Sequence, residues 1–233
     1  MSVTEYERST THSRNPLAQL SHRARRKEAI RLIRCYLPDT GALLDFGCAG
    51  GELLRDVGRA CPSARLYGLD PFSSPGEGYR HIRSPADCDG LVFDVIAAFE
   101  VLEHVSEAAT ADFFSLVRKR LAPRGVCIVS APIMLGPVLL AKLAHARLAG
   151  GSALHYSARE SLQAAFMLRS PLRLPPNRAG TLRHKGFDWR ASRALIESQF
   201  NIAVETFTPL PWLWWGFNSQ WFCLFYPKNA KHG

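Results

Sequence analysis

Four residues of this chain have side chains suited to work on a proton or a cation. Glu100, Glu103 and His104 fall within five positions of one another, and His184 returns much later in the basic phrase Arg183-His184-Lys185. As a set they offer mixed oxygen and nitrogen ligands for a divalent cation such as Mg2+. Singly, an imidazole of either histidine is a general base, a role worth roughly 10²–10⁴ in rate. A third reading is structural, with Glu103 or His104 capping the next helix and His184 bonded to backbone.

A second constellation precedes these residues. The apolar Leu43-Leu44 ends in Asp45, and Phe46-Gly47-Cys48-Ala49-Gly50-Gly51 follows; a second apolar run, Leu66 to Leu69, ends in Asp70. Glycine lacks a Cβ and adopts positive φ, so a strand-to-helix turn of this kind lets a ligand rest on main chain while the helix N–H groups stay available as donors. An acidic residue about 20 positions further on lies at the tip of the next strand, within reach of a ribose hydroxyl pair. Together the two features predict a ligand that carries a nucleoside. The glycines do not fit G-x-G-x-x-G, which argues against a nicotinamide dinucleotide.

Asp45 to Gly51, read as Asp-x-Gly-x-Ala-x-Gly, resembles the signature of class I S-adenosylmethionine (SAM) methyltransferases, with Ala49 where a glycine is usual. Glu100-Val101-Leu102-Glu103-His104-Val105 is similar to the phrase that follows the fourth strand in the subgroup containing ubiquinone-biosynthesis O-methyltransferases. Leu121-Ala122-Pro123-Arg124-Gly125 is similar to that family's junction between helix and fifth strand. The resemblance covers about residues 40 to 131 and, more loosely, the C-terminal part. It implies SAM held by Asp45, Gly47, Ala49, Gly51 and Asp70, with Phe99 and Glu100 near its methionine end. Asp87 is the nearest counterpart of the family's adenine-contacting acid, and Ala86 would contribute backbone. Glu100, Glu103, His104 and His184 also partly resemble the magnesium site of small-RNA 3′-terminal 2′-O-methyltransferases. His104 and His184 are the catalytic candidates.

Such a site needs a particular scaffold. Residues 1–15 read as a flexible lead and 16–233 as a single methyltransferase domain. Pro16 to Leu37 reads as a helix whose apolar stripe leaves Arg23, Arg25, Arg26, Lys27, Arg31 and Arg34 on a solvated face. Strands near 42–46, 64–69, 79–83, 93–99 and 125–131 alternate with helices near 51–61 and 107–121, and a stunted link spans 85–90. That alternation predicts a parallel sheet covered on both faces. A helix at 189–199 and strand-like runs at 202–208 and 217–226 resemble the family's terminal antiparallel hairpin. The expected fold is α/β, Rossmann-like and doubly wound, a mainly parallel seven-stranded sheet with a C-terminal antiparallel hairpin and a helical insertion after the fifth strand. That insertion, 133–186, holds helices at 133–148 and 157–168 and an irregular connector at 172–178, and is expected on the acceptor side. It and the Trp212–Trp215 cluster are read as core packing, as a lid over an apolar acceptor, or as a membrane contact.

Composition is consistent with one such domain. The 233 residues are 47% hydrophobic, yet no apolar run approaches the ~20 needed to span a bilayer. Glu5, Glu7 and Arg8 interrupt any signal-peptide core. Six cysteines without a close pair predict reduced, buried thiols and a cytoplasmic protein, at most peripheral to a membrane. The net charge of +9 suits an anionic partner: a carrier-linked acceptor, an anionic membrane surface or RNA. RNA is the less favoured, because the arginines are dispersed and no RNA-binding aromatic signature accompanies them. The expected activity is SAM-dependent O-methylation of a small-molecule or carrier-linked hydroxyl of quinone, polyketide or sugar type. The alternatives are RNA ribose 2′-O-methylation and a SAM-fold module that binds without catalysis.

Overall fold

The central strand β1, Ala42–Phe46, is almost wholly apolar and buried, as a strand covered on both faces must be. The computed structural model describes residues 16–148, 155–175 and 184–228; the expected lead at 1–15 lies outside them. Six further strands join β1: β2 (Arg65–Leu69), β3 (Arg80–Ile82), β4 (Phe93–Phe99), β5 (Leu121–Pro132), β6 (Phe200–Thr208) and β7 (Gln220–Pro227). Their order across the sheet is β3-β2-β1-β4-β5-β7-β6. The first five are parallel, and β7 runs antiparallel to both β5 and β6. The chain builds one half outward from β1 and then returns to start the other at β4. This reversal is the switch point of the sheet, and doubly wound sheets bind ligands at the carboxyl ends of the strands that flank it.

Helices cover both faces. Leu43, Val95, Ala97 and Ile128 point to the side packed by α1 (Pro16–Tyr36) and α2 (Glu52–Ala60) through Ile33, Leu54 and Val57. Their strand neighbours Leu44, Ile96, Ala98 and Val129 point to the other, packed by α3 (Glu107–Arg120) and α6 (Trp189–Gln199) through Phe113, Phe114 and Ile196. The expected insertion after β5 supplies α4 (Val138–Leu148) and α5 (Ala158–Phe166), which share a small core of Leu139, Leu143, Tyr156 and Ala164.

Local chemistry moves several expected boundaries. The helix expected from 133 begins at Val138, because Pro137 disfavours helical backbone before it and Gly136 takes φ +80°. Strand β5 starts at Leu121, ahead of the Pro-Arg-Gly turn, and a register shift between Phe93 and Val95 absorbs the irregularity. The stunted link is a single 3-10 turn, Pro85–Cys88. The cysteines are all free, but Cys35 is exposed on α1 and Cys61 is half-buried, so only four of the six are core thiols. Among the described residues no helix is long and apolar enough to cross a membrane.

Candidate active site

Parallel register places Asp45 beside Gly68 and Phe46 beside Leu69, so Asp70 is the first residue past the tip of β2. The intervening turn is left-handed at three points, Gly47 (φ +78°), Ala49 (φ +44°) and Gly51 (φ +71°). Side chains leave no room at two of them. A Cβ on Gly47 would meet Val101 Cγ2 at 2.5 Å, and one on Gly51 would collide with the Tyr79 ring. Left-handed backbone costs a non-glycine about 1–2 kcal/mol. At Ala49 that cost is offset by a fixed hydrogen bond, its N–H donating to Asp70 Oδ2 at 3.0 Å. Asp70 Oδ1 accepts from the N–H groups of Phe72 (2.8 Å) and Ser73 (3.1 Å). One carboxylate therefore braces the turn from the neighbouring strand. Asp45 is 4% exposed, and burial, aided by the negative Asp70, pushes its carboxyl up to about 7.

The next strand tip turns sharply. Phe99, half-buried and paired with Ser130 on β5, ends β4, and Glu100 follows with φ +57°. The Glu100 carboxylate is held by Arg25 Nη1 of α1 at 3.2 Å and by Gln220 Nε2 of β7, also at 3.2 Å. Ser130 Oγ donates to it at 3.4 Å.

Beyond this bend, Glu103, His104 and His184 bring ligating atoms within 4.8 Å of one another. Their ring contact is close, the two imidazole centroids lying 4.6 Å apart at 75°. Glu103 is fully buried and neither oxygen has a hydrogen-bond partner; burial, then the charge of Glu100, pushes its carboxyl well above the usual range. His184 Nδ1 is likewise buried without a hydrogen-bond partner. Burial, then His104, Lys142, Arg173 and Arg25, push this imidazole down to about 3, so it is neutral at physiological pH. The histidine is anchored from behind. Phe187 N donates to its carbonyl, Phe187 and Trp189 are buried, and Asp188 caps α6. Lys142 Nζ donates to the carbonyls of Ile133 and Ser219, each at 3.0 Å, and burial lowers it to about 8.

Residues 19–195 match the family described as Methyltransferase domain. The chain belongs to that family. No curated protein sequence is significantly similar to this methyltransferase. Its fold is shared with solved structures of low identity. A 1,6-didemethyltoxoflavin-N1-methyltransferase of Burkholderia thailandensis, solved with S-adenosylhomocysteine, is 14% identical, with 97% of this chain and 87% of that chain covered and a TM-score of 0.55. The magnesium protoporphyrin IX methyltransferase of Synechocystis, also with the demethylated cofactor, is 15% identical over 95% and 94% at 0.53. A TehB-like SAM-dependent methyltransferase of Corynebacterium glutamicum is 13% identical over 92% and 100% at 0.52.

The methyltransferase thus gathers Asp45, Gly47, Ala49, Gly51 and Asp70 at one turn between adjacent strand tips, with Phe99 and Glu100 at the adjoining strand tip. It groups Glu103, His104 and His184 but leaves Glu100 outside that trio, tied to Arg25 and Gln220. The cap of α3 is neither Glu103 nor His104 but Ser106, whose Oγ accepts from Ala109 N at 3.2 Å. Asp87 spends its carboxylate on the N–H of Ser84 within the 3-10 turn. Arg25 departs from the expected solvated face to reach Glu100. Sequence reasoning assigned no role to Lys142, one of three basic residues that punctuate an apolar helix, or to Arg173, which donates to the Glu103 carbonyl and left no local signal. The tryptophans divide: Trp215 packs on Trp189, with ring centroids 5.5 Å apart, while Trp212 is 75% exposed.

Proposed function

We propose that this methyltransferase takes its methyl group from SAM and places it on a hydroxyl oxygen of a small-molecule or carrier-linked acceptor of quinone, polyketide or sugar type. The observation that carries the donor assignment is the pair Asp45 and Asp70, on adjacent strand tips either side of a left-handed turn at the sheet's switch point. Two neighbouring carboxylates, one of them buried, favour a ligand that brings positive charge and hydroxyl donors. SAM has both, in its ammonium and sulfonium and in its ribose. Three backbone N–H groups already fill three of the roughly four acceptor positions of Asp70. The remaining position suits one ribose hydroxyl. Phe99 and Glu100, at the adjoining strand tip, would hold the methionine end of SAM.

When bound, this donor supplies an electrophilic methyl, so the chain's own task is alignment and removal of the acceptor's proton. A hydroxyl is the acceptor that most needs such help, and the imidazole pair beside the β4 exit supports that choice. His184 stays neutral, which suits a metal ligand; with its conjugate acid lowered to about 3 it is a weak proton acceptor, so the base role falls to His104. Glu103, His104 and His184 also fit a divalent cation, since a buried carboxyl and a buried imidazole nitrogen without hydrogen-bond partners are groups a cation would satisfy; Glu103 Oε1 already lies 3.9 Å from His104 Nε2. Such a cation would stabilise the deprotonated hydroxyl. The test is transfer of labelled methyl from SAM to a panel of hydroxyl acceptors; turnover with a hydroxyl compound supports the reading, and exclusive labelling of nitrogen or carbon acceptors contradicts it.

RNA ribose 2′-O-methylation is the second reading, supported by the trio without Glu100, which is tied to Arg25 and Gln220. RNA retention at low salt that weakens steeply as salt rises would support it. Absence of retention at low salt would remove it.

A further inference from the structure

Two segments of this chain are strongly basic, 16–37 with six lysines and arginines against Glu28, and the insertion after β5. Residues 133–186 carry eight lysines and arginines against a single acidic residue, Glu160, or a net +7. Glu160 is itself neutralised by Lys185 at 2.9 Å. Arg147, Arg159 and Arg169 stand exposed. Residues 207–226, which include the loop between β6 and β7, contain no charged side chain at all.

The exposed apolar surface falls mainly in the insertion and in this loop. Among the described residues, eight of the twelve large apolar side chains that stand exposed belong to the insertion or to that loop. On and after α5, Leu162 is 56% exposed, Phe166 66%, Met167 65% and Leu172 91%. On the loop, Trp212 is 75% exposed and Trp214 47%. The two segments are joined. Trp215 packs against the core shared by α4 and α5, Gly136 lies directly against Gly216, and Gly136 N donates to the Ala164 carbonyl of α5 at 2.9 Å.

We infer that the α5 segment and the Trp212–Phe217 loop form a docking face for an anionic lipid bilayer. Tryptophan suits the headgroup level, and aliphatic side chains gain free energy by entering the acyl boundary. Arginines beside them are drawn to the negative surface of the leaflet. Charge complementarity alone would serve RNA as well. Leu162, Met167 and Leu172 separate the two, because aliphatic side chains offer no face on which a base can stack. The face adjoins the candidate active site through the sequence neighbours His184 and Lys185, so docking would present the acceptor side to the membrane.

The test is flotation of the full-length protein with vesicles of phosphatidylcholine alone and with vesicles enriched in phosphatidylglycerol, with tryptophan emission followed in parallel. The protein is expected to float with the anionic vesicles only and to shift its emission to the blue. Paired variants F166S/W212S and R159E/R169E are expected to bind at least about tenfold more weakly. All four positions are exposed, and unchanged melting and unchanged SAM binding in the variants separate loss of docking from loss of fold or of the donor site. No flotation with anionic vesicles, equal flotation of wild type and variants, or single-stranded RNA bound where vesicles are not, would overturn the inference.

Discussion

Arg25 Nη1 lies 3.2 Å from Glu100 Oε2, joining the helix that precedes the sheet to the bend where β4 leaves it. Glu100 sits in left-handed backbone there, and its carboxylate is fixed by three side chains from three elements. The Arg25 side chain is 27% exposed, so solvent screens the pair in part. Arg25→Ala is expected to cost about 1–2 kcal/mol, and so to lower Tm by about 3–6 °C. A double-mutant cycle with Glu100→Gln checks this by thermal melting. Strictly additive losses would show that the pair contributes nothing as a pair.

Asp45 makes the donor site sensitive to pH. Its folded carboxyl is raised to about 7, so the ionised form that favours a cationic ligand is populated only above that value. SAM affinity is therefore expected to fall by up to about tenfold per pH unit below 7. Asp45→Asn should bind more weakly at pH 8 and show a flat profile. The free protein gives the opposite sign: a carboxyl raised in the fold loses stability between its unfolded value and about 7. Asp45→Asn without ligand should therefore melt higher than wild type at pH 8. Calorimetry and melting curves across pH 5–9 read both effects.

Glu103 and His184 are buried groups without hydrogen-bond partners, and a divalent cation would satisfy both. Saturating Mg2+ or Mn2+ is expected to stabilise wild type by about 2–3 kcal/mol at a hundredfold excess over Kd. Glu103→Gln and His184→Ala should lose this gain, lose at least about 100-fold in methyl transfer and keep SAM affinity. Full turnover in chelator would remove the cation and leave the imidazole of His104 as the base.

Acid tests His184 from a second direction. Its imidazole is lowered to about 3 in the fold, below the ordinary histidine value, so the unfolded chain takes up the proton first. Stability is complete above about 6.5 and is lost as pH falls toward 3, by about 1 kcal/mol per pH unit from this group. Urea midpoints of wild type and His184→Gln should converge or cross between pH 6.5 and 4. Parallel curves would place His184 in contact with water.

Most strands, their alternation with helices and the terminal hairpin were legible because apolar runs such as Ala42–Phe46 and Phe93–Phe99 leave little choice once both faces are covered; the three-residue β3, Arg80–Ile82, has no such run. The Asp45 turn and Asp70 were legible for a different reason: glycines with a downstream acid record a backbone shape. Arg25 was not. Helical periodicity places its Cα on the polar face, but periodicity carries no information about where a long side chain ends. Ser106 outcompeted Glu103 and His104 as the cap of α3 because its short hydroxyl reaches the Ala109 N–H from extended backbone. Lys142 reads as an interruption of an apolar helix; only the fold brings the carbonyls of Ile133, nine residues earlier, and Ser219, 77 residues later, to its ammonium.

The grip of Asp45 and Asp70 on one nucleoside-bearing ligand is tested most directly by calorimetric titration of the full chain with S-adenosylhomocysteine, the demethylated product. Saturable one-to-one binding is expected, weakened at least about 100-fold by Asp70→Ala, which removes both the ribose acceptor and the brace on the Ala49 N–H. No saturable binding to the folded wild type, or equal affinity in the variant, would contradict the account.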